Sequence, residues 1–215
     1  EEKLGKKVNN KTTINKACIN SKEIKKNNIF FGIRGKNTDG NKYANIAIKN
    51  GASVSIIEKN YGKKIKNKIK VKNTLKFFTE CATKVRASSD IIAIGITGSA
   101  GKTSLKELLG QSLSKIHNTT YSKKSFNNKY GVPVSLFNIN KKDKFGIFEI
   151  GMDKKGEINN LSKIIKPNIG VITNISYAHS KNFKNLFGIA KAKSEIINNI
   201  IENGSIVLNA DDKFY

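Results

Sequence analysis

From Asp90 onward the sequence alternates short apolar runs with segments of helical pattern, and this alternation limits the possible folds more than any other feature. The apolar runs are continuous, as expected for parallel strands that are buried on both faces. Right-handed crossovers between such strands give an α/β fold with a mostly parallel, doubly wound sheet, whose ligands collect at the carboxyl ends of the strands. We predict strands at 91–96, 145–150, 169–173 and 205–208, and helices near 102–116, 157–165 and 186–201.

A smaller α/β unit is predicted ahead of this block. Apolar runs at 29–33 and 54–57 flank a helical segment at 43–48. The stretch 63–72 alternates Ile with Lys, which favours an exposed edge strand because lysine discourages edge-to-edge pairing. A solvated connector is the alternative. A helix at 74–87 then leads into the second block. We expect two domains, 1–85 and 86–215, the second incomplete because the chain stops directly after a strand-like run.

The formal net charge of +24 would suit binding to nucleic acid. However, only Arg34 and Arg86 are arginines, and the lysines are spread over the whole chain among Asn and Ile. Arginine is the residue preferred for bidentate recognition, so this distribution indicates a compositional bias and not a selected patch. We expect no nucleic-acid partner. A lysine-rich nucleic-acid-binding P-loop protein stays an alternative, and its affinity would fall steeply with salt.

Cysteine usage and hydropathy indicate the compartment. Cys18 and Cys81 lie far apart without the spacing of a disulfide framework or a zinc site. No apolar stretch is long enough to cross a bilayer, and the N-terminus has no signal-peptide pattern. We therefore expect a cytoplasmic protein that does not insert into a membrane, and we expect a monomer.

The most specific chemical motif is Gly-Ile-Thr-Gly-Ser-Ala-Gly-Lys-Thr-Ser at 95–104, where an apolar strand meets a helix. Backbone N–H groups of such a turn surround phosphate oxygens, Lys102 neutralises the β- and γ-phosphates, and the Thr103 hydroxyl can ligate Mg²⁺. The strict GxxxxGK[ST] pattern is missed because Ile96 stands at its first position. A P-loop kinase or GTPase is an alternative. The residues predicted to bind ATP are Gly98, Ser99, Ala100, Gly101, Lys102, Thr103 and Ser104.

This turn resembles the ATP loop of the Mur ligases and the folylpolyglutamate synthetases. Other segments resemble the Mur ligases in the order of that family: 125–133 with its paired asparagines, the strand that carries Glu149, the Asn-x-x-x-x-His segment that ends at His179, and Ala-Lys-Ala-Lys-Ser-Glu-Ile at 190–196. Ala178 precedes the histidine where most relatives have Asp. In this respect the chain resembles the branch of the family that adds D-alanyl-D-alanine.

The resemblance implies roles for individual residues. It implies one Mg²⁺ ligated by Thr103 and Glu149 and a second held by His179 and Lys193, with Lys193 carried as a carbamate. Lys102, His179 and Lys193 would be catalytic, and the amides of Asn127 and Asn128 would lie near the phosphates. Taken alone, Glu149 could instead form an ion pair, His179 could be structural and Lys193 could lie on a solvated helix face.

The first block resembles the UDP-binding domain shared by the last two ligases of the pathway, with Asn20-Ser21-Lys22 in place of the usual Asp-Ser-Arg. We predict that Ser21, Lys22, Asp39 and Gly40 bind substrate. The implied activity is an ATP-dependent amide ligase of peptidoglycan precursor synthesis that joins UDP-N-acetylmuramoyl-tripeptide to D-alanyl-D-alanine through an acyl phosphate. The family's C-terminal domain would be absent from this chain, which we expect to be inactive alone. A Mur ligase that adds a single amino acid is the alternative.

Overall fold

A computed structural model describes residues 14–61, 65–122, 125–177 and 182–214. The chain divides into two compact units between Glu80 and Cys81. This division reflects packing within the chain, and the functional domains 1–85 and 86–215 stay a prediction. Among the described residues, no helix combines the length and the apolar character that crossing a bilayer requires.

The first unit is built on a four-stranded parallel sheet with the order β1-β2-β3-β4. The strands are β1 (Lys16–Cys18), β2 (Asn28–Phe31), β3 (Ala52–Glu58) and β4 (Lys68–Val71). All four residues of β2 are buried, as expected for a central strand. The edge strand predicted from the Ile/Lys alternation is confirmed as β4, whereas β1 was not predicted because three residues give too little pattern.

The short helical elements lie between the strands of this unit, and a longer helix begins after its last strand and continues beyond Glu80. Short 3-10 turns at Ser21–Glu23 and Gly40–Tyr43 precede α1 (Ala44–Lys49), and α2 (Thr74–Ala87) follows β4. The small residues Ala44 and Ala47 let α1 approach the sheet, where they pack with Phe30 and Ile57. The prediction of a small α/β unit is therefore confirmed.

The second unit is a five-stranded parallel sheet with helices between the strands. Its strands are β5 (Ile92–Thr97), β6 (Thr119–Tyr121), β7 (Phe145–Glu149), β8 (Ile169–Ile172) and β9 (Ser205–Leu208). Its helices are α3 (Lys102–Ser114), α4 (Gly131–Phe137), α5 (Glu157–Ile165) and α6 (Leu186–Lys193). The four predicted strands are confirmed to within a residue at either end, but the predicted burial on both faces is wrong for β9, which lies at the edge of the sheet and is mostly exposed. The edge strand β6, with half-exposed residues, lacked that signal.

The strand order β6-β7-β5-β8-β9 places β5 at the centre of the sheet, between β7 and β8. Its two neighbours follow it in the chain by crossovers to opposite sides, as in doubly wound folds. The glycine turn after β5 therefore lies between the residues that follow β7 and those that follow β8. This is the edge of the sheet where ligands bind in such folds.

One helix boundary differs from the prediction. The single helix expected at 186–201 ends at Lys193, and a 3-10 turn, Ser194–Asn199, continues from it. Both carboxylate oxygens of Glu195 accept hydrogen bonds from the N–H of Gly156, at 2.8 and 3.0 Å, and one also accepts from the N–H of Asn159 at 3.1 Å. Glu195 therefore caps α5 from 39 residues away. This tertiary contact outweighs the local helical pattern.

Candidate functional site

The turn between β5 and α3 needs glycine at two positions. Gly98 has φ of +147° and Gly101 has φ of +78°, a region that side chains with a Cβ rarely adopt. A Cβ on Gly98 would lie 1.9 Å from the Oγ1 of Thr173, so the space for a side chain is already filled. The first N–H groups of α3, at Lys102, Thr103 and neighbouring positions, have no partners within the helix, which suits them to bind an anion.

Lys102 curls back over this turn. Its ammonium donates hydrogen bonds to the carbonyl of Gly98 at 2.8 Å and to that of Ser99 at 3.4 Å. Partial burial lowers the pKa of Lys102, and the nearby negative charge of Glu149 offsets part of that effect. The cation is thus held at the mouth of the turn, where phosphate oxygens could replace the two carbonyls.

Glu149 lies at the end of β7, beside the first turn of α3, with 3% of its surface exposed. One carboxylate oxygen accepts a hydrogen bond from the hydroxyl of Thr103 at 2.8 Å, and the other accepts from the Nδ2 of Asn127 at 2.8 Å. The sequence separates these residues by 46 and 22 positions. The fold therefore brings together three of the residues that the sequence predicted.

The chemistry of this pair of oxygens fits Mg²⁺. Two adjacent ligands of an octahedral Mg²⁺ at 2.0–2.1 Å lie about 2.9 Å apart, close to the 2.8 Å between Thr103 Oγ1 and Glu149 Oε2. Mg²⁺ commonly takes one or two protein oxygens and completes its shell with water and phosphate. In the part of the chain that the structure describes, no group of three or more His, Cys, Asp and Glu side chains could hold a metal. His179 and Ala178 lie outside the described residues.

Lys193, the last residue of α6, is almost fully buried, with 2% of its surface exposed. Burial lowers the pKa of Lys193 to about 8, and repulsion from the nearby ammonium of Lys102 adds to this shift. The solvated helix face considered from the sequence is therefore not what the structure shows. The lowered pKa raises the fraction of Lys193 that is neutral near pH 7, and a neutral amine is the form that reacts with CO₂.

The two neighbouring asparagines have different surroundings. The backbone carbonyl of Asn127 accepts from the N–H of Gly151 at 2.7 Å while its side chain contacts Glu149. The Oδ1 of Asn128 instead accepts from the N–H groups of Tyr130 and Gly131 and so caps the start of α4. The side chain of Asn127 thus lies beside the carboxylate of Glu149, whereas the side-chain oxygen of Asn128 already accepts hydrogen bonds from the backbone. Their roles in ATP binding stay predictions.

The segment after β8 packs against the glycine turn, which the sequence analysis did not anticipate. Ser99 donates from its N–H to the carbonyl of Asn174 at 3.0 Å, and its hydroxyl both donates to the carbonyl and accepts from the N–H of Ser176. The N–H of Ala100 donates to the Oδ1 of Asn174 at 2.9 Å, and the hydroxyl of Thr173 donates to the carbonyl of Ala100 at 2.5 Å. A usable signal was the Thr-Asn pair at the carboxyl end of the neighbouring strand.

In the first unit, Asp39 lies within a polar cluster. Its carboxylate accepts from both nitrogens of Asn41 and from the hydroxyl of Tyr61, and the guanidinium of Arg34 lies 3.7 Å away. Burial raises the pKa of Asp39, but the hydrogen bonds from Tyr61 and Asn41 and the charge of Arg34 outweigh it, so the net shift is downward. A Cβ on Gly40 would lie 2.6 Å from the carbonyl of Ile33.

The other two predicted substrate residues lie in the first 3-10 turn. Ser21 is buried and its carbonyl accepts from the side chain of Asn50 at 2.9 Å, whereas Lys22 is exposed. The oxygen of Asn20, where the usual motif has Asp, caps this turn by accepting from the N–H of Lys22 at 3.1 Å. Substrate binding by Ser21, Lys22, Asp39 and Gly40 stays a prediction.

The glycine turn, Glu149 and Lys193 all fall within residues 96–215, which match the family described as Mur ligase middle domain and make up more than half of the chain. The chain belongs to the Mur ligase family. Residues 13–86 also match the description Mur ligase family, catalytic domain. Because the chain belongs to a family of ligases, the alternative hypotheses of a P-loop kinase or a GTPase are set aside.

Two curated relatives are UDP-N-acetylmuramoyl-tripeptide–D-alanyl-D-alanine ligases. The protein of Rickettsia prowazekii is 38% identical over 213 residues, which are 99% of this chain and 47% of the relative. The protein of Buchnera aphidicola subsp. Baizongia pistaciae is 36% identical over 204 residues, which are 94% of this chain and 44% of the relative. The chain thus spans somewhat less than half the length of these relatives.

Solved structures give the same similarity at the level of the fold. A crystal structure of MurF from Acinetobacter baumannii matches with a TM-score of 0.84 and 30% identity, over 94% of this chain and 44% of that one. The MurF ligase of Thermotoga maritima in complex with ADP matches with a TM-score of 0.78 and 28% identity, over 95% and 47%. The two α/β units described above are therefore those of this family.

Proposed function

We propose that this chain forms the UDP-peptide-binding and nucleotide-binding part of an ATP-dependent amide ligase that joins UDP-N-acetylmuramoyl-tripeptide to D-alanyl-D-alanine. The observation that carries the proposal is the meeting of Lys102, Thr103 and Glu149 at the carboxyl edge of a parallel sheet, in a chain of the Mur ligase family. The names of the similar proteins support the choice of substrates. The reaction would take place in the cytoplasm, during synthesis of peptidoglycan precursors.

The nucleotide would bind at the glycine turn. The ammonium of Lys102 would exchange the carbonyls of Gly98 and Ser99 for oxygens of the β- and γ-phosphates. Preorganised positive charge of this kind stabilises the charge that develops on a phosphoryl group in the transition state. The complex of a similar ligase with ADP supports a nucleotide at this position.

Mg²⁺ would supply further charge neutralisation, and Thr103 and Glu149 would hold it. The Thr103 hydroxyl now donates to Glu149 and would turn its proton away so that both oxygens could face the cation. Asn127 would keep the other carboxylate oxygen in place through its 2.8 Å hydrogen bond. His179 would contribute to a second site, as predicted from the resemblance.

Lys193 would provide a further oxygen ligand after reaction with CO₂. Its neutral amine would attack the carbon of CO₂, and the proton released from the nitrogen would pass to water, which leaves a carbamate anion at a position that otherwise carries mostly a cation. With a pKa of about 8, roughly a tenth of the amines are neutral at pH 7, so the reactive form of Lys193 is present without a base to deprotonate its ammonium. The change would also replace repulsion between Lys193 and Lys102 by attraction.

The ligation itself would then proceed in two steps. The terminal carboxylate of the tripeptide attacks the γ-phosphorus and releases ADP, which gives an acyl phosphate. The amine of D-alanyl-D-alanine attacks the acyl carbon, phosphate leaves, and the nitrogen loses a proton to give the amide. The residues of this chain contribute to the first step by fixing and neutralising the triphosphate.

The test is ATP consumption by the full-length protein with UDP-N-acetylmuramoyl-tripeptide, D-alanyl-D-alanine and Mg²⁺. We expect release of phosphate that requires both substrates, and a loss of about 100-fold or more in Lys102→Met. Lys115→Met, an exposed lysine just after α3, is the matched control and should keep full activity. Turnover with a single amino acid in place of the dipeptide would favour the alternative Mur ligase. No consumption of ATP with either acceptor would refute the proposal.

A further inference from the structure

We infer that Thr173 is a positioning residue that fixes the direction of a backbone amide in the phosphate-binding turn. The inference rests on the proposed nucleotide binding and adds a residue from the neighbouring strand to that site. Thr173 follows β8, and its backbone N–H donates to the carbonyl of Thr97 at 2.9 Å, which continues the pairing of β8 with β5. Its side chain is thereby held beside the start of the turn.

The contact that matters is the hydrogen bond from the Thr173 hydroxyl to the carbonyl of Ala100 at 2.5 Å. In a planar trans peptide the C=O and the following N–H point in opposite directions. Because the carbonyl of Ala100 points at Thr173, the N–H of Gly101 must point away from β8. A rotation of this peptide would reverse both groups and direct a carbonyl, with its partial negative charge, to the side where the N–H now points.

The preceding peptide, between Ser99 and Ala100, is held at both of its polar groups, but in the opposite orientation. The N–H of Ala100 donates to the Oδ1 of Asn174, and the carbonyl of Ser99 faces the ammonium of Lys102. Side chains of Thr173 and Asn174 therefore fix two consecutive peptides in alternate directions. The N–H of Ala100 is already used within the fold, so Gly101 is the nearer candidate to donate to a phosphate oxygen.

The conformation of the turn makes such external fixing necessary. Gly98 and Gly101 both have positive φ, and glycine has no Cβ to restrict rotation of the adjacent peptides. Nothing lies within 4 Å of where a Cβ of Gly101 would be, so no neighbour packs on that side of the residue, although its carbonyl accepts from the N–H of Leu105 at 2.9 Å. By contrast, Thr173 fills the side-chain position of Gly98. The hydroxyl of Thr173 therefore adds a restraint on the peptide between Ala100 and Gly101.

Two variants at one position separate the hydroxyl from the rest of the side chain. Thr173→Ser loses the methyl group but keeps the hydroxyl donor. Thr173→Ala differs from that serine variant only in lacking the hydroxyl. The readout is the affinity for ADP with Mg²⁺, measured by calorimetry on the purified full-length protein. We expect Thr173→Ser to bind within about threefold of the wild type and Thr173→Ala about tenfold more weakly than the serine variant, since one hydrogen bond is lost.

The matched control is Thr119, whose hydroxyl donates to the carbonyl of His117 at 2.9 Å on the edge strand β6. Thr119→Ser and Thr119→Ala make the same two changes of side chain on the edge strand, away from the glycine turn. Both variants should bind ADP within about twofold of the wild type. An ADP-induced shift of the Gly101 amide resonance that is present in Thr173→Ser and absent in Thr173→Ala would support the orienting role directly.

The outcomes distinguish this inference from the proposed function. Equal ADP affinity of Thr173→Ala and Thr173→Ser, with a wild type that binds, would overturn the inference alone. An equal loss in both variants with a lowered unfolding temperature would overturn it too, because the cause would be packing and not the hydroxyl. A wild type that does not bind ADP would overturn the proposed function and this inference together.

Discussion

Glu149 in the second unit and Asp39 in the first are both carboxylates with little exposure, yet their partners differ. Asp39 lies 3.7 Å from the guanidinium of Arg34 and accepts hydrogen bonds from Asn41 and from the hydroxyl of Tyr61. Glu149 accepts hydrogen bonds from the neutral hydroxyl of Thr103 and the neutral amide of Asn127, 46 and 22 residues away. A paired carboxylate stabilises the fold around it. A carboxylate whose hydrogen bonds come from neutral groups, as those of Glu149 do, keeps its charge available to a metal.

The largest effect that tests this contrast is expected for Glu149→Gln. Glutamine keeps the size of the side chain but removes the charge that would ligate Mg²⁺, so the gain in ADP affinity on adding Mg²⁺ should fall by about tenfold to 100-fold. Calorimetry with Mg²⁺ and with EDTA measures that gain. Glu202→Gln, an exposed acid of the same unit, removes the same charge and should leave the gain unchanged. A normal response to Mg²⁺ in Glu149→Gln would end the metal proposal.

The next effect concerns the buried cation beside that site. The folded pKa of Lys193 is about 8 against an ordinary value of 10.5, so between these values the unfolded state binds more protons. The free energy of unfolding should therefore rise with pH from about 8 to 10.5. Below pH 8 the full cost of burying the charged amine of Lys193 is present. Lys193→Met should stabilise the chain by about 2 kcal/mol at pH 7, with little gain near pH 10.5.

Urea unfolding in CO₂-free buffer measures this difference. Lys191→Met on the exposed side of α6 is the control and should show no such dependence on pH. If Lys193→Met is less stable than the wild type across this range, the buried amine is not a source of strain. Adding bicarbonate at pH 8 should stabilise the wild type and leave Lys193→Met unchanged, because methionine cannot form a carbamate at this buried position.

The smallest effect is expected in the first unit. Asp39→Asn weakens the contacts to Arg34 and Tyr61 and should lower the free energy of unfolding by about 1 kcal/mol. ADP affinity should not change, which is the reverse of Glu149→Gln. Asp90→Asn, an exposed acid, is the stability control. If Asp39→Asn kept its stability but lost affinity for a UDP-muramyl peptide, the carboxylate would contact substrate directly, as the sequence predicts.

The sequence predicted the local parts of both units and of the site. Continuous apolar runs gave β5, β7, β8 and β9, and the glycine turn with Lys102 and Thr103 followed from its position between a strand and a helix. Parallel strands bring their carboxyl ends to one edge, so Glu149 could be placed near that turn. These inferences need only periodicity and topology.

The remaining features depend on contacts between distant parts of the chain. The bond from Thr173 to Ala100 spans 73 residues, and although the Thr-Asn pair marks the end of a strand, it does not show which backbone group the hydroxyl contacts. The cap of α5 by Glu195 likewise ended α6 earlier than its helical pattern suggested. The burial of Lys193 could not be recognised in a lysine-rich chain, because composition hides a single lysine that packs inside.

The capping of α5 by Glu195 has a consequence for hydrogen exchange. Amides at the start of a helix usually exchange quickly with solvent because they have no partner inside the helix. Here the amides of Gly156 and Asn159 donate to a carboxylate two residues beyond Lys193, so their protection measures how firmly the α6 segment is docked. Two backbone protons on one helix thus become reporters of order around a buried amine on another.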